Sequence, residues 1–400
     1  MSLFALDEEE ALEAAERFGT PCFVYRLDTA IASFDALRSV LPERAILAYA
    51  VKANPGAPLI KAFASRGAWF DCASSGELER VAAAQVPGGR ILFAGPGKTE
   101  AELALAVSMG ARIQVGGIED LERLEALLAA SPQSAASGGP LRLSLRVHPA
   151  SGVSESSRII GGSGPSVFGV DEEELLPFLA ETRRFERLRI TGLQVFAASN
   201  EREAERLLGN YRRTFEIARL LSREVGALEL IDLGGGLGIP YDESESELDI
   251  MALGSGLVRI LADNPWFEGH VIVEPGRFLA GPCGVYLARV IRTKLSRGTR
   301  FVVLEGGVNH LLRPLLTGQA FPASLPGKTG PLAPCTLTGP LCTSLDRLGE
   351  VHIPEPQAGD LVMLGQAGAY GFTESMNAFL SHPQAAEIWL EESLLRRGRA

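Results

Sequence analysis

The chain has 400 residues, a charged fraction of 22% and a net charge of −11. That length exceeds one ordinary core and sets two domains as the prior, and the acidity argues against a nucleic-acid backbone as partner. The five cysteines (Cys22, Cys72, Cys283, Cys335, Cys342) are scattered and form no CxxC pair, which argues against a disulfide framework or a metal site. The acidic, amphipathic start lacks the basic region and apolar core of a signal peptide, and no apolar stretch is long enough to span a bilayer. A reducing cytoplasm is the expected location.

Taken in order, residues 7–18 predict a surface helix, Cys22 to Tyr25 a short strand and residues 28–40 another helix. From Ala45 a rhythm begins. Strand-like runs fall at 46–51, 68–72, 91–94, 112–115, 142–147, 189–196, 228–232 and 270–274. Helical patterns separate most of them, at 77–84, 100–108, 118–130, 201–225 and 248–261. Eight strands in this alternation predict a (β/α)8 barrel rather than an open doubly wound sheet. Two stretches interrupt it: a flexible loop at 131–140 and a Ser/Gly loop at 149–166, readable as a lid or as plain disorder. After Arg277 strand signals continue without long helices, at 284–292, 300–304, 335–338, 360–364 and 386–390. These predict an all-β second domain, which the strand near Cys22 would join. Residues 393–399 read as a frayed tail.

Barrel enzymes place their chemistry at the C-terminal ends of the strands. Here those ends carry Lys52, Asp71, Arg146 with His148, Phe196 with Ser199, Gly234-Gly235-Gly236, and Glu274 with Arg277. The glycine run follows the seventh strand, where bare backbone can approach an anion and aim N–H groups at phosphate oxygens. It is not a Walker loop, since no Lys-Ser/Thr follows, nor a dinucleotide fingerprint, since it does not open the first βα unit. Arg277 can add a charge-assisted contact to the same phosphate. Glu274 can pair with a ring nitrogen and keep it protonated, which suits a ring that accepts electrons. Together these groups suit a phosphorylated, carbonyl-bearing aromatic cofactor.

Six motifs in order then resemble a known family: Tyr49 to Asn54, Phe70 to Leu78, Gly234 to Gly236, Glu274 to Arg277, Gly339 to Cys342 and Gly368 to Gly371. From about residue 20 to 390 the chain is similar to the fold-type III pyridoxal-phosphate decarboxylases, the group of diaminopimelate and ornithine decarboxylases. The resemblance implies an alanine-racemase-like barrel over 28–277, a β-rich domain made of 1–27 and 278–400, and a head-to-tail homodimer with shared active sites. It implies pyridoxal 5'-phosphate on Lys52, with Gly234 to Gly236, Arg277 and Tyr370 holding the phosphate. Glu274 would meet the pyridine nitrogen, Asp71 and Arg146 would sit near the cofactor, and Ser199 by the phosphate or ring. Cys342 would reach into the partner subunit's active site with Asp346 nearby. No metal, nucleic acid or membrane is expected.

The implied reaction is α-decarboxylation of an amino acid, free or carried on an acyl-carrier protein, through an aldimine on Lys52 and a quinonoid intermediate, with Cys342 or Lys52 reprotonating Cα. Three features depart from the family's pattern. Phe196 stands where a histidine commonly stacks on the ring. Thr343 stands where an acidic residue after the cysteine reads a distal ammonium. The stretch Glu374 to Pro383 lacks the usual diaminopimelate pattern. The stretches Cys342 to Asp346 and Phe379 to Pro383 look more like the specialised branch that includes decarboxylases of carrier-bound glutamate. Arg313 and Asp346 are weaker substrate candidates, a surface ion pair being the other reading of Arg313; His148 and His310 are read as non-catalytic. The alternatives are a meso-diaminopimelate decarboxylase, an amino-acid racemase on the same scaffold, and a cofactor-free binding protein. Racemases usually set an arginine against the ring nitrogen, so Glu274 favours decarboxylation.

Overall fold

The computed structural model describes residues 2–130, 139–150, 164–196 and 198–390. Most of the loops expected at 131–140 and 149–166, and the tail at 393–399, lie outside these residues. The chain forms two compact units, one of residues 36–237 and 248–276, the other of 1–35, 238–247 and 277–400.

In chain order the first part runs α1 (Glu8–Phe18), β1 (Cys22–Arg26), α2 (Leu27–Val40), β2 (Ala45–Ala50), α3 (Ala57–Ser65), β3 (Trp69–Cys72), α4 (Ser75–Ala83), β4 (Ile91–Phe93), α5 (Glu100–Met109), β5 (Arg112–Val115) and α6 (Ile118–Ala130). It continues with β6 (Leu141–His148), β7 (Val170–Asp171), α7 (Leu175–Thr182), β8 (Leu188–Gln194), α8 (Ala204–Val225), β9 (Leu230–Asp232), α9 (Ile250–Asp263) and β10 (His270–Val273). The remainder is α10 (Arg277–Ala280), β11 (Gly284–Ser296), β12 (Thr299–Leu304), α11 (Arg313–Thr317), β13 (Ala323–Ser324), β14 (Ala333–Thr338), β15 (Arg347–Ile353), β16 (Leu361–Leu364) and β17 (Ala386–Leu390).

The first unit is the expected barrel. Strands β2, β3, β4, β5, β6, β8, β9 and β10 pair in parallel in that order, and β10 returns to pair with β2. Closure leaves no sheet edge to protect. The strands are short apolar runs because both faces are covered; Ala48, Leu92, Leu230 and Ile272, from four of them, pack together as one core cluster. The helices start where capping chemistry allows. Thr99 and Glu102 form a reciprocal capping box at the head of α5, and Ser74 accepts from the Glu77 N–H at the head of α4.

The second unit is the expected β-rich one. Strand β11 pairs antiparallel with β1, β12 and β16, and β1 pairs in parallel with β17. The N-terminal strand therefore joins the C-terminal sheet, as its isolation from the barrel rhythm suggested. Helix α1 lays Ala11, Ala14 and Ala15 against Val24, Val285, Leu287 and Met363 in this unit's core. No helix among the described residues is long and apolar enough to cross a membrane.

Candidate active site

Lys52 stands just past β2 because the strand stops there. Val51–Ala53 forms a 3-10 turn, the Tyr49 hydroxyl donates to the Asn54 carbonyl at 2.8 Å, and Asn54 Oδ1 accepts from the Gly56 N–H at 2.9 Å. Pro55 prevents the strand from resuming. The Lys52 amine meets Asp71 Oδ2, from the neighbouring strand β3, at 3.2 Å. It also lies 5.7 Å from the centroid of the Phe196 ring. Asp71 is 2% exposed, and its other oxygen has no hydrogen-bond partner among the described residues.

The glycine run packs where side chains cannot. A Cβ would come within 2.8 Å of the Val195 carbonyl oxygen at Gly234, 2.5 Å of the Glu274 carbonyl oxygen at Gly235 and 2.6 Å of the Ala198 carbonyl oxygen at Gly236. Gly234 and Gly236 also adopt φ of +68° and +93°, where side chains are strained. The Gly234 N–H donates to Asp232 Oδ1 at 2.9 Å. The N–H groups of Gly235 and Gly236 meet no acceptor among the described residues. Two adjacent, bare N–H donors at a turn make a cradle for an oxyanion. The Phe196 ring lies beside Gly234 and Gly235. Half-buried Ser199 follows Ala198 along the same cradle, where the Glu201 N–H donates to the Gly236 carbonyl at 2.8 Å.

Glu274 follows β10, is 3% exposed, and leaves Oε1 with no hydrogen-bond partner among the described residues. Burial first, then the carboxylates of Asp232 and Asp71, push its pKa well above the usual carboxylate range. Asp232, at the end of β9, hydrogen-bonds to Glu274 and is raised to about 6, chiefly by burial. Gln114 reaches it from β5, its Nε2 donating to Asp232 Oδ2 at 2.8 Å. Asp232 and Gln114 are site residues that the sequence does not single out; Asp232 has a signal, an acid ending a strand just before the glycines, and Gln114, an uncharged amide inside β5, has none. Arg146, at the end of β6, lies 4.6 Å over the Phe168 ring and lines, with Gln114, Arg123 and Phe168, a cavity of about 190 Å³. Burial lowers its pKa, against the pull of Glu274, Asp71 and Asp232. Three buried acids thus face the cations Lys52 and Arg146, and the raised pKa of Glu274 leaves it a proton to share with a ring nitrogen.

The residues present fit pyridoxal phosphate: an amine for the aldehyde, bare N–H donors for the phosphate, a buried carboxyl with an unused oxygen for the ring nitrogen, and Phe196 as an apolar ring for its face.

The other expected residues lie in the β-rich unit. Arg277 is 8% exposed; it donates to the Tyr241 hydroxyl at 2.6 Å and its guanidinium lies 5.1 Å from the Tyr370 ring. Arg313 lies 4.4 Å from the same ring and pairs with Glu374 at 2.7 Å. Its side chain is 6% exposed and that of Glu374 26%, so the ion pair is partly buried. Two guanidiniums therefore flank Tyr370, which holds a φ of +55°. Cys342 is exposed in the loop between β14 and β15. Asp346 is turned inward: Oδ1 accepts from the Val308 N–H at 2.8 Å and Oδ2 from the Leu341 N–H at 2.7 Å. Thr343 Oγ1 accepts from the Leu345 N–H at 3.2 Å. His310 is engaged by the Tyr286 hydroxyl at 3.0 Å and the Pro383 carbonyl at 2.9 Å, as a packed core histidine would be. His148 Nε2 lies 3.0 Å from the Gly164 carbonyl oxygen. Among the described residues no cluster of three or more His, Cys, Asp or Glu could hold a metal ion.

Comparison with known proteins agrees with this geometry. The family described as pyridoxal-dependent decarboxylase, pyridoxal binding domain, matches residues 27–281. The L-glutamyl-(BtrI acyl-carrier protein) decarboxylase of Niallia circulans is 31% identical over 96% of this chain and 91% of its own length. The diaminopimelate decarboxylase of Deinococcus radiodurans is 32% identical over 98% of this chain and 97% of its own. The crystal structure of Helicobacter pylori diaminopimelate decarboxylase complexed with L-lysine superposes with a TM-score of 0.83 at 25% identity, covering 95% of this chain and 94% of that one.

Proposed function

Because the chain belongs to the pyridoxal-dependent decarboxylases, we propose that it removes the α-carboxylate of an amino acid whose far end carries no free ammonium and is tethered to an acyl-carrier protein. The enzyme class is shared by the family: a pyridoxal-phosphate-dependent amino-acid carboxy-lyase. The substrate is our reading.

The observation that carries it is the loop from Leu341 to Arg347. Its one carboxylate, Asp346, spends both oxygens on backbone N–H groups, and Thr343 presents a hydroxyl. A distal ammonium would find no charge-assisted partner there, whereas a neutral ester or thioester needs none. The carrier-protein decarboxylase of Niallia circulans supports this reading. The similarity to the Deinococcus radiodurans enzyme supports meso-diaminopimelate as the second.

Bound pyridoxal phosphate supplies an electron-accepting ring that takes up the pair left at Cα. The Lys52 amine would hold its aldehyde carbon, with Asp71 keeping that amine oriented until then. The Gly235 and Gly236 N–H groups would take the phosphate, with Ser199, Arg277 and Tyr370 contributing. Glu274 would hold a proton at the ring nitrogen, and Phe196 would cover one face without the polar contact of a histidine. Arg146 would balance the acids around Glu274. Lys52 Nζ, or Cys342 Sγ from a second copy in a homodimer, would return a proton to Cα. Arg313 remains our candidate for a substrate carboxylate, in exchange with Glu374. A cytoplasmic location fits the free cysteines, of which Cys342 is exposed and the other four are buried.

The test is CO2 release from L-glutamate loaded on BtrI acyl-carrier protein, free L-glutamate, meso-diaminopimelate and L-ornithine. The carrier conjugate should turn over fastest. Faster release from meso-diaminopimelate would overturn the substrate reading.

A further inference from the structure

A basic ribbon stands out in the β-rich unit. Between Arg289 and Arg300 the chain reads RVIRTKLSRGTR, with Arg289, Arg292, Lys294, Arg297 and Arg300 and no acidic residue, in a protein of net charge −11. This stretch is the β11–β12 hairpin. Strand β16 pairs with β11 only through residues 286–289 and Val290 exchanges hydrogen bonds with Gly359 and Asp360, so from Ile291 on β11 is bonded to β12 alone. Residues 291–295 are all exposed, which leaves both faces of that strand open. Ile291 is 50% and Leu295 69% exposed. Arg300 is paired with Glu355, and Arg289 donates to the Gly359 carbonyl. No carboxylate among the described residues pairs with Arg292, Lys294 or Arg297. Lys294 lies opposite Phe301, whose ring has the Arg347 guanidinium 5.9 Å above it.

Charges on an open strand edge guard against sheet-to-sheet pairing. One lysine accomplishes that. Several like charges on one ribbon repel each other, and exposed Ile291 and Leu295 work against the guard. Cations around apolar side chains instead match a folded acidic surface with an apolar centre. An extended polyanion suits less well, because the rest of this acidic chain repels it.

We propose that the β11–β12 ribbon is the docking surface for the acidic carrier protein that delivers the substrate, an inference that rests on the carrier-linked reading above. Its placement within the unit suits the task. Strand β12, ~20 Å long, runs from the ribbon's tip to Gly306-Gly307, and parallel β14 runs beside it into the Cys342 loop. A carrier seated on the ribbon would lie along the strands that lead to that loop, at a distance a long flexible tether can span. Attraction between unlike patches acts mainly on encounter, so it should appear in KM and in salt dependence rather than in kcat.

The experiment compares wild type with the combined Arg292→Glu, Lys294→Glu and Arg297→Glu variant, using L-glutamyl-loaded BtrI acyl-carrier protein and free L-glutamate. In wild type, KM for the conjugate should rise with salt. In the variant it should rise about tenfold or more at low salt, with kcat, free-substrate kinetics and melting temperature unchanged. A variant that keeps the wild-type KM for the conjugate overturns the docking inference while leaving the substrate reading intact. A wild type that turns over free amino acids and never the conjugate overturns the substrate reading, and the docking inference with it. Wild-type binding to anionic vesicles or duplex DNA that is lost in the variant, with the conjugate's KM unmoved, assigns the ribbon to another polyanion and also overturns it.

Discussion

Asp232 and Glu274 form a buried acid pair whose charge is held in check by a shared proton. A carboxyl that binds its proton more tightly when folded takes up protons on folding, so stability falls as pH rises between its unfolded and folded pKa values. For Asp232, raised from 3.8 to about 6, the penalty is absent below about pH 4 and complete above about pH 6. The cofactor-free protein should therefore lose urea resistance across that window, and Asp232→Asn should flatten the slope; a slope unchanged by the substitution would remove the pair from the account. Gly235 makes a second prediction at this scale. An added Cβ must displace the Glu274 carbonyl 2.5 Å away, so Gly235→Ala should weaken pyridoxal phosphate binding at least about tenfold by equilibrium dialysis, a shift of about 1.4 kcal/mol. Wild-type affinity would contradict the cradle. Glu274 and the glycines were legible because their motifs name them. Asp232 and Gln114 were not, because a lone buried acid and a lone amide acquire meaning only when the closed barrel brings β5, β9 and β10 to one mouth.

At the scale of elements, the Cys342 loop is built on one side chain. Asp346 ties the ends of β12 and β14 by accepting from Val308 and Leu341, where Gly307 and Gly339 let the two backbones meet: a Cβ on Gly339 would lie 2.3 Å from the Gly307 Cα. Asp346→Ala would strand two buried donors, and it should cost about 1–3 kcal/mol of stability, measurable as a lowered urea midpoint, and slow turnover by misplacing Cys342. A variant with wild-type stability would show that the clamp is idle. The resemblance implies Asp346 near Cys342 and substrate, but a sequence does not carry the direction of the side chain, which here points inward. The barrel strands were legible as apolar runs between helical patterns. Strand β15 was not, since RLGEVHI mixes polar residues with Gly349 and carries no strong strand signal. Helices α3 and α7 are not legible either: their apolar runs, APLIKAFAS and LLPFLAET, carry few polar residues to mark a solvent face.

For the whole molecule, the order of elements was enough to predict a barrel followed by a sheet, because alternation and its end at Arg277 are properties of the chain itself. That residues 238–247 group with the β-rich unit was not readable, since long-range packing decides it. The net charge says nothing local either; it gains meaning when a basic ribbon is seen against an acidic chain. The central claim is that Lys52 holds pyridoxal phosphate in the mouth of this barrel, with Glu274 and the glycine cradle at its two ends. The most direct measurement is borohydride reduction of the cofactor-loaded enzyme followed by mass spectrometry of its peptides. The account predicts one phosphopyridoxyl group per chain, on Lys52, and none after Lys52→Ala; a group found on another lysine, or turnover that survives Lys52→Ala at the wild-type rate, would contradict it.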